Sequence, residues 1–255
     1  MRYHTPTALA DVTLRMPMKH VAIASTARTH PGRRAQNEDA VLARDDLGVW
    51  AVADGMGGHQ GGSWASATVI ETLARLASEA ETGAVALDRA VAEGNQEIVE
   101  AGKALGGTIG TTFAGLSFDG FAMRGLWVGD SRIYRWRAGR LDRLTRDHSI
   151  VQDLVDRGTL TPTEAEKHPM AHVLSRAVGV QAAVNADRFG MEALPGDMFL
   201  LCSDGLTRVV SEAEIAAELA HGNAQVATDT LIEMTLARGA PDNVSIVVVR
   251  ITRSF

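Results

Sequence analysis

The chain has 255 residues, room for one large domain or two small ones, with the 45% hydrophobic and 22% charged content of an ordinary globular protein. Its 25 basic and 31 acidic residues leave a formal charge of −6, which argues against nucleic acid as a partner, because phosphate backbones reward a Lys/Arg excess. Cys202, the single cysteine, excludes an intrachain disulfide and suits a reducing, cytoplasmic compartment. No apolar run reaches the length of a bilayer span, and Asp11, Arg15 and Lys19 interrupt any secretory core, so no membrane association is expected.

Residues 1–19 carry Pro6 and Pro17 and no periodicity, and read as an N-terminal arm; residues 20–255 read as one domain. Val21 to Ala24 is the first expected strand, and Thr26 to Asp39 is expected to be a polar loop. Ala40 to Arg44 and Val49 to Ala53 form a hairpin through Asp45-Asp46-Leu47-Gly48. Trp64, Ala67, Ile70, Leu73 and Ala77 recur at helical spacing over 63–81, and Leu87, Val91, Ile98 and Leu105 mark a second helix ending at Gly106-Gly107. Strands follow over 108–117 and 121–128, joined through Asp119-Gly120, and then a hairpin over 131–144 around Ala138-Gly139.

Residues 147–179 are polar and locally helical, an excursion from the core. Thr161-Pro162-Thr163-Glu164 is a capping box with Pro at the first helical position, and Ser149 caps a helix start. Strands are expected at 184–189 and 198–202, helices at 211–220 and 225–238, a break at Pro241, and a last strand over 244–251. Hairpins dominate, so the fold class is expected to be α+β, with largely antiparallel sheets whose outer faces are covered by helices. Trp64, Trp127 and Trp136 are expected to be core or half-buried.

Asp54, Asp130, Asp204 and Asp242 each stand where an apolar run stops or starts. Singly, each reads as a turn residue; together they suggest one acidic cluster at the rim of a sheet, with the oxygen donors that hard divalent cations require. With the Gly55 carbonyl and Glu38, such a rim can hold two or three Mg²⁺ or Mn²⁺ ions. Water shared by two such ions has its pKa lowered toward ~7 and supplies hydroxide for in-line attack on phosphorus. Arg34, near Glu38 and Asp39, offers a fork for a phosphate, which favours phosphate-ester hydrolysis.

The ordered motifs Arg34-x-x-Asn37-Glu38-Asp39, Asp54-Gly55-Met56-Gly57-Gly58, Gly110-Thr111-Thr112, Val128-Gly129-Asp130-Ser131-Arg132, Leu201-Cys202-Ser203-Asp204-Gly205 and Asp242-Asn243-Val244-Ser245 span nearly the whole chain. The sequence resembles bacterial metal-dependent protein serine/threonine phosphatases of type 2C, the PPM family. The resemblance implies an α/β sandwich of two packed antiparallel sheets flanked by helices, with a metal cleft at one end and a flap over about 148–175. It implies that Asp54 bridges two ions, that Gly55 gives its carbonyl to one of them, and that Asp204 and Asp242 ligate the other. Glu38 would act directly or through water and Asp39 would orient the ligands. Asp130 with Asp204 would hold a third, weaker ion, and Arg34 would bind the phosphate. The substrates implied are phosphorylated proteins, targets of a bacterial serine/threonine kinase.

Two departures stand out. Met56 occupies the place of a histidine proposed as general acid in eukaryotic members, and His168-Pro169-Met170-Ala171-His172 lacks the Arg-Asn pair usual after His-Pro. Two other functions compete with the phosphatase. One is a non-catalytic phosphoprotein-binding or sensory module on the same fold, which retention of every metal aspartate opposes. The other is a cysteine-based phosphatase using Cys202-x5-Arg208, opposed by Asp204 inside the would-be phosphate cradle and by an apolar setting that raises a thiol pKa. Asp147-His148-Ser149 is contiguous and is not expected to act as a triad, nor do His168 and His172 form a zinc motif.

Overall fold

The structure is a computed structural model that describes residues 21–57, 61–79, 82–120 and 122–253. The N-terminal arm over 1–19, Gly58 of the glycine motif, the expected helix end at Glu81 and the strand start at Phe121 lie outside the described residues. In chain order the elements are β1 (Val21–His30), β2 (Asp39–Arg44), β3 (Val49–Met56), α1 (Gly61–Ser78), α2 (Gly83–Leu105), β4 (Gly110–Thr111), β5 (Phe113–Phe118) and β6 (Ala122–Val128). Then come β7 (Arg132–Arg137), β8 (Arg140–Arg143), α3 (Ile150–Asp156), α4 (Pro162–Glu166), β9 (Asp187–Glu192), β10 (Met198–Cys202), α5 (Asp204–Thr207), α6 (Glu212–Ala220), α7 (Ala224–Ala237) and β11 (Val244–Arg253).

One sheet runs β1-β11-β10-β7-β8 and the other β2-β3-β5-β6-β9, with β4 paired to β3; every pairing is antiparallel. Alternation along the central strands builds the layers. On β3, Val49, Ala51 and Ala53 pack outward on α1 and α2 through Val69, Leu73, Leu87 and Ile98. Trp50 and Val52 point the other way and meet Ile133, Phe199, Leu201, Val247 and Val249 of the facing sheet. On that sheet, Leu200, Cys202, Ile246 and Val248 pack outward on Ile215 and Leu219 of α6 and Leu231 of α7. The central strands β3, β10 and β11 are thus buried on two faces, which is why they read as near-continuous apolar runs. Each such side chain contributes about 1.5–3 kcal/mol on burial.

Several expected boundaries move. The loop expected from Thr26 is strand as far as His30, because β11 supplies a continuous ladder from Val21↔Arg253 to His30↔Val244. The strand expected over 184–189 is β9, Asp187–Glu192, held by β6 from Asp187↔Trp127 to Glu192↔Ala122. The strand expected over 108–117 is divided into β4 and β5 at Thr112, whose N–H and hydroxyl are turned to the backbone of Asp54. The last helix stops at Ala237, before Pro241, in a turn where Gly239 takes φ 95°. Trp64 is 39% exposed, not core. The turns, the capping box at Thr161 and the Ser149 cap stand as expected.

Candidate metal centre

The two sheets end together at a cleft of about 780 Å³ lined by Arg34, Glu38, Asp54, Gly55, Asp130, Asp204 and Asp242. Of the residues expected to serve the metals or the phosphate, only Asp39 does not line it. Asp39 lies behind the wall, buried, opposite Asp54 in the β2–β3 ladder. Thr112, Met56, His172, Arg208 and Asn243 complete the lining relevant to chemistry.

Local backbone chemistry fixes each acid. The Asp54 N–H donates to Thr112 Oγ1 (2.9 Å), and the Asp54 carbonyl accepts from Thr112 N–H (2.8 Å) and Thr111 Oγ1 (3.0 Å). The Thr112 hydroxyl pairs with that of Ser131 (2.7 Å), beside Asp130. Gly55 N–H donates to the Glu38 carbonyl (3.0 Å), and a Cβ on Gly55 would stand 2.1 Å from the Gly62 carbonyl oxygen, so only glycine fits. Asn243 stitches the far side: its Nδ2 donates to the carbonyls of Pro31 and Gln36 (both 2.9 Å) while its Oδ1 accepts from Glu38 N–H (2.8 Å). Ser203 donates to Asp39 Oδ2 (2.8 Å) and accepts from Ser245 N–H (3.0 Å), which ties β2 to both β10 and β11.

The carboxyls are crowded. Burial pushes Asp39 up to about 6, with the charges of Asp204 and Asp242 adding to it and hydrogen bonds from Ser245 and Ser203 opposing it. Burial, followed by the charges of Asp39, Asp204, Asp130 and Asp242, holds Asp54 well above the usual carboxylate range. Asp130 is pushed up to about 8 by burial and by Asp204 and Asp147, against Arg208 and Arg132. Asp204 is raised by burial, with Arg208 the main opposing charge. Asp54, Asp130 and Asp204 are each half-buried where they line the cleft.

Two guanidiniums answer this charge. Arg34 grips Asp242 with Nε to Oδ1 and Nη2 to Oδ2, both at 3.0 Å. Arg208 reaches Asp242 Oδ2 through Nη1 (2.8 Å) and Asp204 Oδ2 through Nη2. With Asp204 and Asp242 so engaged, no three His, Cys, Asp or Glu side chains among the described residues close around a single point. The donor set nevertheless fits hard divalent ions. Every acid offers oxygen, Asp39 Oδ1 is buried without a hydrogen-bond partner, and the raised carboxyls mark a site short of positive charge.

Sequence reasoning did not assign Arg208 or His172 to this cleft. Arg208 follows Asp204 by four residues, a helical spacing that signals a contact with that acid but not with Asp242. His172 is carried there by the excursion between β8 and β9, whose two ends pair. Ile150 N–H donates to Val173 O and Ser175 N–H to His148 O, both at 2.9 Å. The members of Asp147-His148-Ser149 face apart. Asp147 binds Arg132 and Arg143, His148 accepts from Gly129 N–H through Nδ1 (3.1 Å) and meets Asp187 through Nε2 (3.2 Å), and Ser149 caps α3.

The family model described as protein phosphatase 2C matches residues 26–237. The serine/threonine protein phosphatase PstP of Mycobacterium tuberculosis is 42% identical over 220 residues; that match takes in 84% of this chain but only 42% of PstP, so the chain spans less than half of that relative's length. The serine/threonine phosphatase stp of Listeria monocytogenes is 36% identical over 239 residues, 87% of this chain and 93% of that protein. Among solved structures, the PstP catalytic domain in complex with two manganese ions superposes with a TM-score of 0.83 at 37% identity, covering 91% of this chain and 99% of the other. PppA, a regulatory component of the type VI secretion system in Pseudomonas aeruginosa, gives 0.82 at 36% identity over 90% and 98%. Sequence, fold and the acidic cleft agree: the chain belongs to the protein phosphatase 2C family.

Proposed function

We propose that the chain hydrolyses phosphoserine and phosphothreonine esters in proteins, in a reaction that depends on Mn²⁺ or Mg²⁺. The observation that carries this reading is the convergence of Asp54, Asp130, Asp204 and Asp242 with Arg34 on one cleft, drawn from the ends of both sheets. The names of the matched relatives and the manganese ions in the PstP catalytic domain support it.

Asp54 and the Gly55 carbonyl, with Glu38, would hold divalent ions on one side of the cleft, and Asp204 and Asp242 on the other; Asp130 would share a third ion with Asp204. Such ions supply Lewis acidity that ionises water at neutral pH and offsets charge on phosphorus. The chain's own part is orientation and charge. Asp39, held by Ser203, backs Asp54; Asn243 fixes the backbone of Glu38; Arg34 presents a fork to the phosphate. Met56 has no proton to give a leaving alkoxide.

Residues 20–255 are assigned to one catalytic domain, with 1–19 as an arm and 148–175 as a flap over the cleft. Its substrates would be targets of a bacterial serine/threonine kinase, met in the cytoplasm. The net charge of −6 opposes nucleic acid, and no helix among the described residues is long and apolar enough to cross a membrane. A phosphopeptide panel assayed with Mn²⁺, with Mg²⁺ and with chelator tests the proposal. Turnover is expected with either metal, and equal turnover in chelator overturns it.

A further inference from the structure

Asp242 is gripped from two sides. Arg34, from the loop between β1 and β2, takes both of its oxygens, and Arg208, from the end of α5, takes Oδ2 as well. One carboxylate oxygen therefore accepts from two guanidiniums that come from separate segments of the chain, a loop and a helix end. The other nitrogen of Arg208 that bonds an acid holds Asp204, and among the described residues these two carboxylates are its only side-chain partners. Neither guanidinium is sealed in: the Arg34 side chain is 58% exposed and that of Arg208 27%. Arg208 also lines both the metal cleft and a neighbouring groove of about 930 Å³.

Two forks converging on one carboxylate form an arrangement suited to a larger oxyanion. A phosphate monoester presents three terminal oxygens where a carboxylate presents two, and guanidinium binds both through paired N–H donors. Asp204 and Asp242 are also two of the acids assigned to metal ions above, and a carboxylate engaged by a divalent cation has less charge left for an arginine. We propose that Arg208 is a second phosphate-binding residue of this active site, exchanging its carboxylate partners for the phosphate of the substrate when divalent ions take Asp204 and Asp242, and closing on that phosphate from the side opposite Arg34. The proposal rests on the phosphatase reading and names a specificity element within it. It also assigns Arg208 a role in the absence of metal, as the internal cation that competes for the two acids.

Calorimetric titration of inorganic phosphate into the Mn²⁺-loaded protein tests this directly, alongside Mn²⁺ titration of the metal-free protein and KM for a phosphothreonine peptide. Arg208→Gln is expected to weaken phosphate binding and raise KM by about tenfold or more, the loss of a charged hydrogen-bond pair. The same variant should bind Mn²⁺ several-fold more tightly, because a competing charge is gone. Arg208→Lys should restore only part of the phosphate affinity, since a point charge replaces a fork. Phosphate affinity and KM within twofold of the unmodified protein in Arg208→Gln would overturn the proposal. Should that variant fail to fold by circular dichroism, Arg208→Lys decides alone, with weakened phosphate binding in support and unchanged binding against. An unmodified protein that binds phosphate through Arg208 yet hydrolyses no phosphopeptide would sink the phosphatase reading and leave the phosphate site standing.

Discussion

Asp39 stands directly opposite Asp54 across the β2–β3 ladder. Antiparallel pairing sets these acids shoulder to shoulder, where like charges repel. Burial is the larger cause of the strain, the neighbouring acids of the cleft add to it, and neither acid has a basic partner among its hydrogen bonds. Metal-free stability should therefore depend on pH. Burial raises Asp39 from 3.8 in an unfolded chain to about 6 in the folded one. Between those values the folded protein holds a proton that the unfolded chain has lost. The contribution of Asp39 is thus fully present below pH 3.8 and is lost as pH rises through about 6. A shift of this size is worth about 3 kcal/mol. In chelator, Asp39→Asn should be more stable than the unmodified protein at pH 8 and show no such gain at pH 4. Thermal unfolding at both pH values reads the difference, and an equal effect at both would contradict it.

Metal removal should abolish turnover of p-nitrophenyl phosphate, and Mn²⁺ should restore it. Asp54→Asn and Asp204→Asn should each lower kcat by at least about a thousandfold, the equivalent of several kcal/mol of transition-state stabilisation. Unchanged turnover in Asp204→Asn would remove that residue from the metal set.

Asn243 makes three hydrogen bonds that join the chain before β11 to the loop before β2. Asn243→Ala leaves the Glu38 N–H and two carbonyls without those partners, at a cost of about 2–4 kcal/mol. Because Glu38 loses one of the hydrogen bonds that hold its backbone, Mn²⁺ affinity should fall by about 10–100-fold. Urea unfolding and Mn²⁺ calorimetry measure the two effects separately.

Gly205 follows Asp204 at a point where a Cβ would stand 1.9 Å from the Asn243 carbonyl oxygen, a backbone atom with no freedom to yield. Gly205→Ala should destabilise by about 3 kcal/mol. It should also displace Asp204 from Asp242, so metal affinity should fall with stability. A variant of native stability would show that the two segments can separate without strain.

Cys202 lies fully buried in β10, and burial pushes its thiol up to about 12. Arg208, the would-be phosphate cradle of a cysteine phosphatase, is turned to Asp204 and Asp242 instead. Cys202→Ser should keep metal-dependent turnover, and iodoacetamide should leave the native enzyme active. Loss of turnover in a folded Cys202→Ser protein would revive the thiol chemistry.

What could be read from the chain was local and repetitive. Apolar runs marked β3, β5, β10 and β11 because these strands are buried on both faces, and aspartates at the ends of such runs marked the rim. Residues 26–30 could not be read as strand, because Thr26, Arg28 and His30 carry no apolar alternation; they are extended only because β11 pairs with all ten residues of β1, these five included. Trp64 looked like core because size and spacing say nothing of which face of α1 stays open.

The ordered acids, the glycines that admit them and the caps of the excursion are properties of short stretches, so sequence alone determined the family, the sandwich and the aspartates of the rim. Which charges share an oxygen depends on residues far apart in the chain. Arg34 and Arg208 meet on Asp242 only after β11 is laid between β1 and β10. That pairing, and the crowding that raises Asp39 and Asp54, come from two sheets closing on each other and excluding water from between their ends.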